Sequence, residues 1–397
     1  MNSVLDAVRV LDLTQAMAGP YCAMLLGDLG ADVIKIEKPG SGDQARGWGP
    51  PFIQTESTYF LTANRNKRSL TLDLNTPAGI GILHRLVQRA DVFIINQPSR
   101  ASLVKRRIDY DSLCALNARL IYCSITGYGF SGPLAERAGY DMISQGEAGL
   151  MSFTGEPGAE PLKYPVPIAD ITTGIYAALA ILAALYARDR GAPGQFIDMA
   201  LLDSQLSWLN HVGSDYMNAG AVPQQVGNAH TSIVPYQVFH AQDKYIIIGV
   251  ATESLWTRFC QVLAIQDTIG ADERFTTNRL RNEHREELVP LLQALIQTRP
   301  AAEWLDALRA QEIPCGPINT TQEALADPQT RARGMIVEIE HPLLGLIRTI
   351  GNPIKLSETG VTYRRHPPLL GEHTDEILRD LGESDGTIRD LHAQGIV

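Results

Sequence analysis

Over the first 130 residues, short apolar runs with strand-like alternation take turns with stretches of helical periodicity. The runs at 8–13, 32–37, 69–74, 92–95 and 120–125 are predicted strands, rich in Val, Ile and Leu. A helix is predicted to open at Gly19-Pro20 and stop at Gly30, with proline near its first turn and glycine at its end. Another is predicted from about Pro77 to Ala90. Strands alternating with helices imply a parallel sheet with crossover connections.

Two long segments break this rhythm. Residues 38–66 are rich in Gly, Pro and polar side chains, and residues 126–169 hold eight glycines. Loops of that length are usually functional. A strongly apolar helix is predicted over 171–188, running into the turn Arg190-Gly191-Ala192-Pro193-Gly194. From about 225 the texture changes to a hairpin near 240–249, then amphipathic helices near 253–264, 284–297 and 302–311. Strands predicted at 336–340 and 345–350 return the chain to its first part. The domain organisation expected is therefore 1–200 for a large domain, 225–325 for a small α+β domain, and 330–397 back in the large one.

The chain has 397 residues, 45% hydrophobic and 20% charged, which allows a sizeable core and excludes a disordered protein. The net charge of −10 disfavours nucleic acid as a partner. Residues 1–110 alone carry 13 Lys and Arg against 10 Asp and Glu, a local excess that suits a small polyanion. Five cysteines without a CxxC pair argue against a disulfide framework or structural zinc and for a reducing compartment. The opening MNSVLDAVRVLDL is strand-like from Val8 onwards and leaves no room for a leader, so a cytoplasmic location is expected. The 171–187 stretch is short for a membrane span and is bounded by Asp170 and Arg188; it is expected to be a buried helix, with no membrane partner.

Among candidate sites, a dinucleotide fingerprint fails. The loop after the first strand, Thr14-Gln15-Ala16-Met17-Ala18-Gly19-Pro20, has one glycine where three are needed, and its proline lacks an N–H. Walker A, HExxH and GxSxG are absent, and no metal is expected. Asp170 stands out because it follows Pro165-Val166-Pro167 and precedes the apolar helix. A carboxylate there faces free N–H groups and the positive helix end, which would lower its pKa; it is either an N-cap or an oriented nucleophile. Two basic clusters could meet phosphates or simply form solvated faces: Lys35, Lys38, Arg46, Arg65, Lys67 and Arg68, and Arg100, Lys105, Arg106 and Arg107.

Many short runs, in order, resemble one family over nearly the whole chain. They include Val10-Leu11-Asp12-Leu13-Thr14, Ala18-Gly19-Pro20, Gly30-Ala31-Asp32-Val33-Ile34-Lys35-Ile36-Glu37, Gly40-Ser41-Gly42-Asp43 and Asn66-Lys67-Arg68-Ser69. Gly139-Tyr140-Asp141, Gly149-Leu150-Met151, Thr154-Gly155-Glu156-Pro157, Ala169-Asp170 and Leu370-Gly371-Glu372-His373-Thr374 follow. The sequence resembles the class III, formyl-CoA transferase-like CoA-transferases. Trp48-Gly49-Pro50-Pro51-Phe52, Thr55-Glu56-Ser57-Thr58-Tyr59 and Ser232-Ile233-Val234-Pro235-Tyr236-Gln237 resemble the succinyl-CoA–glutarate branch.

The resemblance implies an α/β fold with a Rossmann-like large domain built from both chain ends, a smaller α+β domain between, and an interlocked homodimer. It implies coenzyme A as co-substrate, with no permanently bound cofactor, and acyl-CoA and carboxylate substrates. It makes Asp170 the nucleophile and puts Lys38, Leu72, Asn96, Lys105, Arg106 and Arg137 at or near CoA contacts. Gln15, Tyr59 and Tyr140 are candidates to position the acids; ordinary packing is the plain alternative for each. Ile95-Asn96-Gln97-Pro98-Ser99-Arg100 departs from the family's Glu-Asn-Phe-x-Pro-Gly, and the run of glycines that covers the intermediate in formyl-CoA transferase has no counterpart near 226–260. Gly227-Asn228-Ala229-His230 is the candidate replacement. An α-methylacyl-CoA racemase is the rival enzyme, but Tyr140 stands where those relatives carry a proton-transferring His. A non-catalytic acyl-CoA-binding protein is the other alternative.

Overall fold

In the computed structural model, residues 3–397 are described. Six parallel strands form the main sheet: Arg9–Leu13 (β1), Asp32–Glu37 (β2), Lys67–Thr71 (β3), Val92–Ile95 (β4), Ile121–Thr126 (β5) and Gln195–Ala200 (β6). Their order is β3-β2-β1-β4-β5-β6, so strand order reverses between β1 and β4. That is the doubly wound arrangement, which opens a crevice at the carboxyl ends of β1 and β4. In register, Leu11 lies beside Ile34 of β2 and Phe93 of β4. The third strand begins two residues earlier than its apolar pattern indicates, because Lys67 and Arg68 find ion partners and can be buried in the ladder.

Successive strand residues feed opposite cores. Leu11, Ile34, Leu70 and Phe93 pack against Pro77–Val87 (α3) and against the C-terminal helices Thr374–Asp380 and Asp385–Ala393. Val10, Val33, Ile94 and Cys123 pack against Ala18–Asp28 (α1) and the long helix Ile168–Asp189 (α6). Gly174 permits the close α1–α6 approach, since a Cβ there would sit 2.7 Å from the Ala18 carbonyl oxygen. By length and composition α6 could cross a membrane, yet half of that apolar window is buried within the fold, as in a core helix. Its other side leaves Ile175, Leu179 and Tyr186 exposed.

The chain divides into two compact units. The larger comprises the chain up to Leu150, Lys163–Ala219 and Arg331–Val397; the smaller comprises Met151–Leu162 and Gly220–Thr330. Residues 151–162 thus belong with the small unit and not with the large domain expected over 1–200, because Gln225 and Gly227 hydrogen-bond to Thr154 and Gly155. Within the small unit, a three-stranded antiparallel sheet (Cys315–Pro317, Tyr245–Gly249, Tyr236–His240) packs on Trp256, Phe259, Leu288 and Trp304. The strands Ile336–His341 and Gly345–Ile350 pair with each other and do not extend the main sheet.

Candidate active site

Four loops meet at the carboxyl ends of β1 to β4, and each carries a residue singled out in the sequence. Gln15 follows β1, Lys38 follows β2, Leu72 follows β3 and Asn96 follows β4. Gln15 and Asn96 lock together across the strand-order reversal. The Gln15 N–H donates to Asn96 Oδ1 at 3.2 Å, and Asn96 Nδ2 donates to the Gln15 carbonyl at 2.9 Å. The Gln15 side chain stays exposed above this pair.

Beneath the loop lies a buried ionic scaffold. Lys67 Nζ binds Asp12 Oδ2 at 2.9 Å, the Pro20 carbonyl at 2.9 Å and Asn64 Oδ1 at 2.8 Å. Lys35 Nζ binds Asp43 Oδ2 at 2.8 Å and the Thr14 carbonyl at 3.0 Å. Asp43 Oδ1 accepts from the Ala16 N–H, holding that residue at a φ of 69°. Asp12 also accepts from the Thr14 N–H and hydroxyl. Burial alone would push the Asp12 carboxyl up, but the Lys67 and Lys35 charges and the Thr14 hydroxyl outweigh it and hold the group below its ordinary range.

This corrects the first basic cluster. Lys35 and Lys67 are fully buried and ion-paired, Arg65 is bound to Asp28, Arg68 to Asp32 and Glu376, and Arg46 to Glu37. Those side chains are spent on ion pairs within the fold; of that cluster only Lys38 is exposed. The second cluster keeps to the surface. Lys105, Arg106 and Arg107 line an open depression of about 730 Å³ with Asn75 and His84, and Arg106 Nη2 donates to Asn75 Oδ1 at 3.1 Å. Arg106 also borders a crevice of about 160 Å³ walled by Gln15, Lys38 and Leu72. Lys38 and Arg106 there stand among Leu13, Leu72 and Ile108, with Glu37 and Asp73 also on the wall; the two cations suit a phosphate-bearing ligand. Arg100, at the start of Arg100–Arg106 (α4), instead lines a separate aromatic cavity of about 280 Å³ with Tyr110, Phe130 and Phe196. Arg137 lies apart from both depressions, paired with Glu147 at 3.0 Å and stacked on Tyr128.

Asp170 sits in the first turn of α6, whose N-cap Pro167 offers no side-chain cap. Asp141, at the start of Asp141–Glu147 (α5), supplies one from a different helix. Its Oδ1 accepts from the Ala169 N–H at 2.7 Å and from the Asp170 N–H at 3.3 Å, while Oδ2 accepts from Gln145 Nε2 at 2.7 Å. Gly139 lets the chain arrive there against the end of β5, since a Cβ on it would lie 2.5 Å from Gly127 Cα. Asp170 is therefore not the N-cap, and its carboxyl does not have the expected low pKa. Partial burial, then the neighbouring Asp141 charge, push it up to about 7.

Tyr59, on Thr58–Thr62 (α2), lies in the field of the same carboxylates. Burial raises its pKa to about 12, with Asp170, Asp141 and Asp43 adding to the effect, so the phenol stays a hydrogen-bond donor at neutral pH. Its ring meets Trp48 edge-on at 5.0 Å. Tyr140 is largely exposed just before α5. His230 belongs to the small unit; its Nδ1 accepts from the Ser232 and Ile233 N–H groups, which puts the ring proton on Nε2, and the ring stacks on Tyr236. Among the described residues, no cluster of His, Cys, Asp or Glu could hold a metal ion.

Asp141 as the cap of α6, and the Asp12–Lys67 and Asp43–Lys35 pairs, escaped the sequence reading. Each links residues at least eight positions apart, and the only local signal was their presence in runs that resemble the family.

A doubly wound sheet with a crevice at its switch point that holds Lys38 and Arg106 is the framework of a nucleotide- or coenzyme-handling α/β protein. The model of CoA-transferase family III matches residues 5–374, and the chain belongs to that family of enzymes. It is 43% identical to a succinate–glutarate CoA-transferase of Agrobacterium fabrum, over 95% of each chain. It is 39% identical to the human succinyl-CoA:glutarate CoA-transferase, over 100% of this chain and 91% of that one. A crystal structure of a CAIB/BAIF family protein from Brucella suis superimposes with a TM-score of 0.87 at 41% identity, covering 96% of this chain and 100% of the other.

Proposed function

We propose that this enzyme moves CoA from succinyl-CoA to glutarate through a thioester on Asp170. The observation that carries the reading is the state of Asp170: a partly buried carboxylate at a helix start, beside a second carboxylate, with its pKa near neutrality. A more basic carboxylate is a better nucleophile once ionised. The activities of the relatives support the substrate pair and favour transfer over racemisation or binding alone.

In the proposed cycle an Asp170 oxygen attacks the succinyl thioester carbon and the C–S bond breaks. CoA leaves as thiolate, and a succinyl-aspartyl anhydride remains. The thiolate attacks Asp170 Cγ, expelling succinate and leaving an aspartyl-CoA thioester. A glutarate carboxylate attacks the same Cγ and expels the thiolate. The thiolate then takes the glutaryl group and frees the Asp170 carboxylate. No net proton moves, and every step exchanges one activated acyl bond for another.

In this reading Tyr59 and Gln15 donate to the acids and Tyr140 borders them. Lys38, Lys105, Arg106, Asn96 and Leu72 hold CoA, with the basic groups on its phosphates. Arg137, tied to Glu147, would need to exchange partners to join them. The Rossmann-like sheet then carries CoA at its switch point. The exposed apolar face of α6 suits burial in a homodimer, and five free cysteines suit a cytoplasmic setting.

The test is to incubate the enzyme with succinyl-CoA alone, quench with hydroxylamine or borohydride, and map the modified peptide by mass spectrometry. Modification of Asp170 is expected. Modification elsewhere, or none in a fully active enzyme, overturns the reading.

A further inference from the structure

The helix that presents Asp170 is capped by another acid. An N-terminal turn normally offers its N–H groups to whatever anion lies nearest, which favours the ionised form. Here Asp141 has taken those of Ala169 and Asp170, and Gln145 holds its other oxygen while accepting from the Tyr164 N–H at 2.8 Å. Asp141 thus locks the start of α6 and keeps a negative charge beside the reacting carboxylate. Other charged groups on the packed elements are committed elsewhere. Glu147 is paired with Arg137, Asp28 with Arg65, and Asp198 accepts from the Phe130 N–H. Lys163 spends its ammonium on the Tyr164 and Pro165 carbonyls. Tyr59 faces the pair as an undissociated phenol, and Asp203 lies on Leu201–Leu206, the next helix packed on α6.

We propose that Asp141 is a positioning and activating residue for CoA transfer: it fixes the backbone of Asp170 and opposes the charge that Asp170 sheds when it becomes acylated. The inference rests on Asp170 being the nucleophile. Forming the anhydride or the thioester converts Asp170 into a neutral carbonyl group and removes the repulsion between the two carboxylates, so the free carboxylate is destabilised relative to both intermediates. A neutral cap would hold the helix equally well and lack this effect.

The experiment measures single-turnover formation of the Asp170 thioester from succinyl-CoA against pH in the full-length enzyme, by quench and mass spectrometry. Asp141→Asn retains a carbonyl oxygen for both N–H groups and removes the charge. Its acid limb is expected to move down by about one pH unit or more, with the plateau rate about tenfold lower. Asp141→Glu, which keeps the charge, is expected to hold the limb at the wild-type position even if the rate falls. A merely structural cap would give the opposite ranking, rates following helix stability with the limb fixed. Should Asp141→Asn fail to fold, Asp141→Ser, another neutral cap, takes its place. An unmoved limb in a folded neutral variant overturns the inference. Thioester formation by Asp170→Asn at the wild-type rate would instead overturn the underlying assignment of the nucleophile.

Discussion

Asp12 and Asp170 lie in the same compact unit, and their surroundings are opposites. Asp12 is fully buried, yet two ammonium groups and the Thr14 N–H and hydroxyl satisfy it, so it is held ionised. Asp170 is less covered, hydrogen-bonds through its backbone N–H to another carboxylate, and is pushed toward its neutral form. Burial opposes ionisation at both sites; the sign of the nearest charges decides the outcome. A carboxylate surrounded by cations is scaffold. One placed beside another acid is costly to keep ionised, and that cost is useful where the next chemical step removes the charge.

The largest effect expected from breaking this contrast is on catalysis. Asp170→Asn should lower CoA transfer by roughly four orders of magnitude or more, as loss of a covalent nucleophile does. Its melting temperature should match or exceed that of the wild type, because the Asp141 repulsion disappears. A marked loss of stability would mean that Asp170 is scaffold after all. Next comes the other aspartate. Asp12→Asn should cost about 3–5 kcal/mol, since it leaves Lys67 in the interior without its charged partner, while Lys35 keeps Asp43. Urea unfolding at constant m-value measures this, and a loss below about 1 kcal/mol would refute the scaffold role.

The smallest effect lies in the pH dependence of stability, where the two groups act with opposite sign. The folded state holds the Asp170 proton at pH values where the unfolded chain has released it. That contribution is full below the ordinary carboxyl value near 4 and is lost as pH rises through about 7. Asp12 contributes above the ordinary carboxyl value, and its share is lost as pH falls through its lowered one. The stability of wild type relative to Asp170→Asn should therefore be more favourable at about pH 5 than at about pH 8. Thermal melts at both values check this; equal relative stability at the two would mean that the Asp170 pKa is not raised.

Much of the framework was legible in the sequence. The five strands read from apolar runs all lie in the main sheet, with β3 displaced by two residues, and α6 was visible from composition alone. The sixth strand, β6, and the helices over 201–219 had too little apolar periodicity to be recognised; β6 is an edge strand with several exposed residues. Of the site, the family resemblance singled out Gln15, Lys38, Leu72, Asn96 and Asp170, and the fold sets the first four at neighbouring strand ends. The first basic cluster misled, because a row of Lys and Arg looks the same whether it meets water, phosphate or buried aspartates.

The sequence by itself determined which segments become strands and helices, and which face each buries, because those depend on periodicity within a few residues. It also carried the family resemblance. Only the tertiary structure decided the charge environment of each ionisable side chain. The cap of α6 comes from 28 residues upstream, and the Asp12–Lys67 pair spans 55 residues. Coulomb forces act through space, so the properties of Asp170 are set by a neighbour that chain order does not reveal.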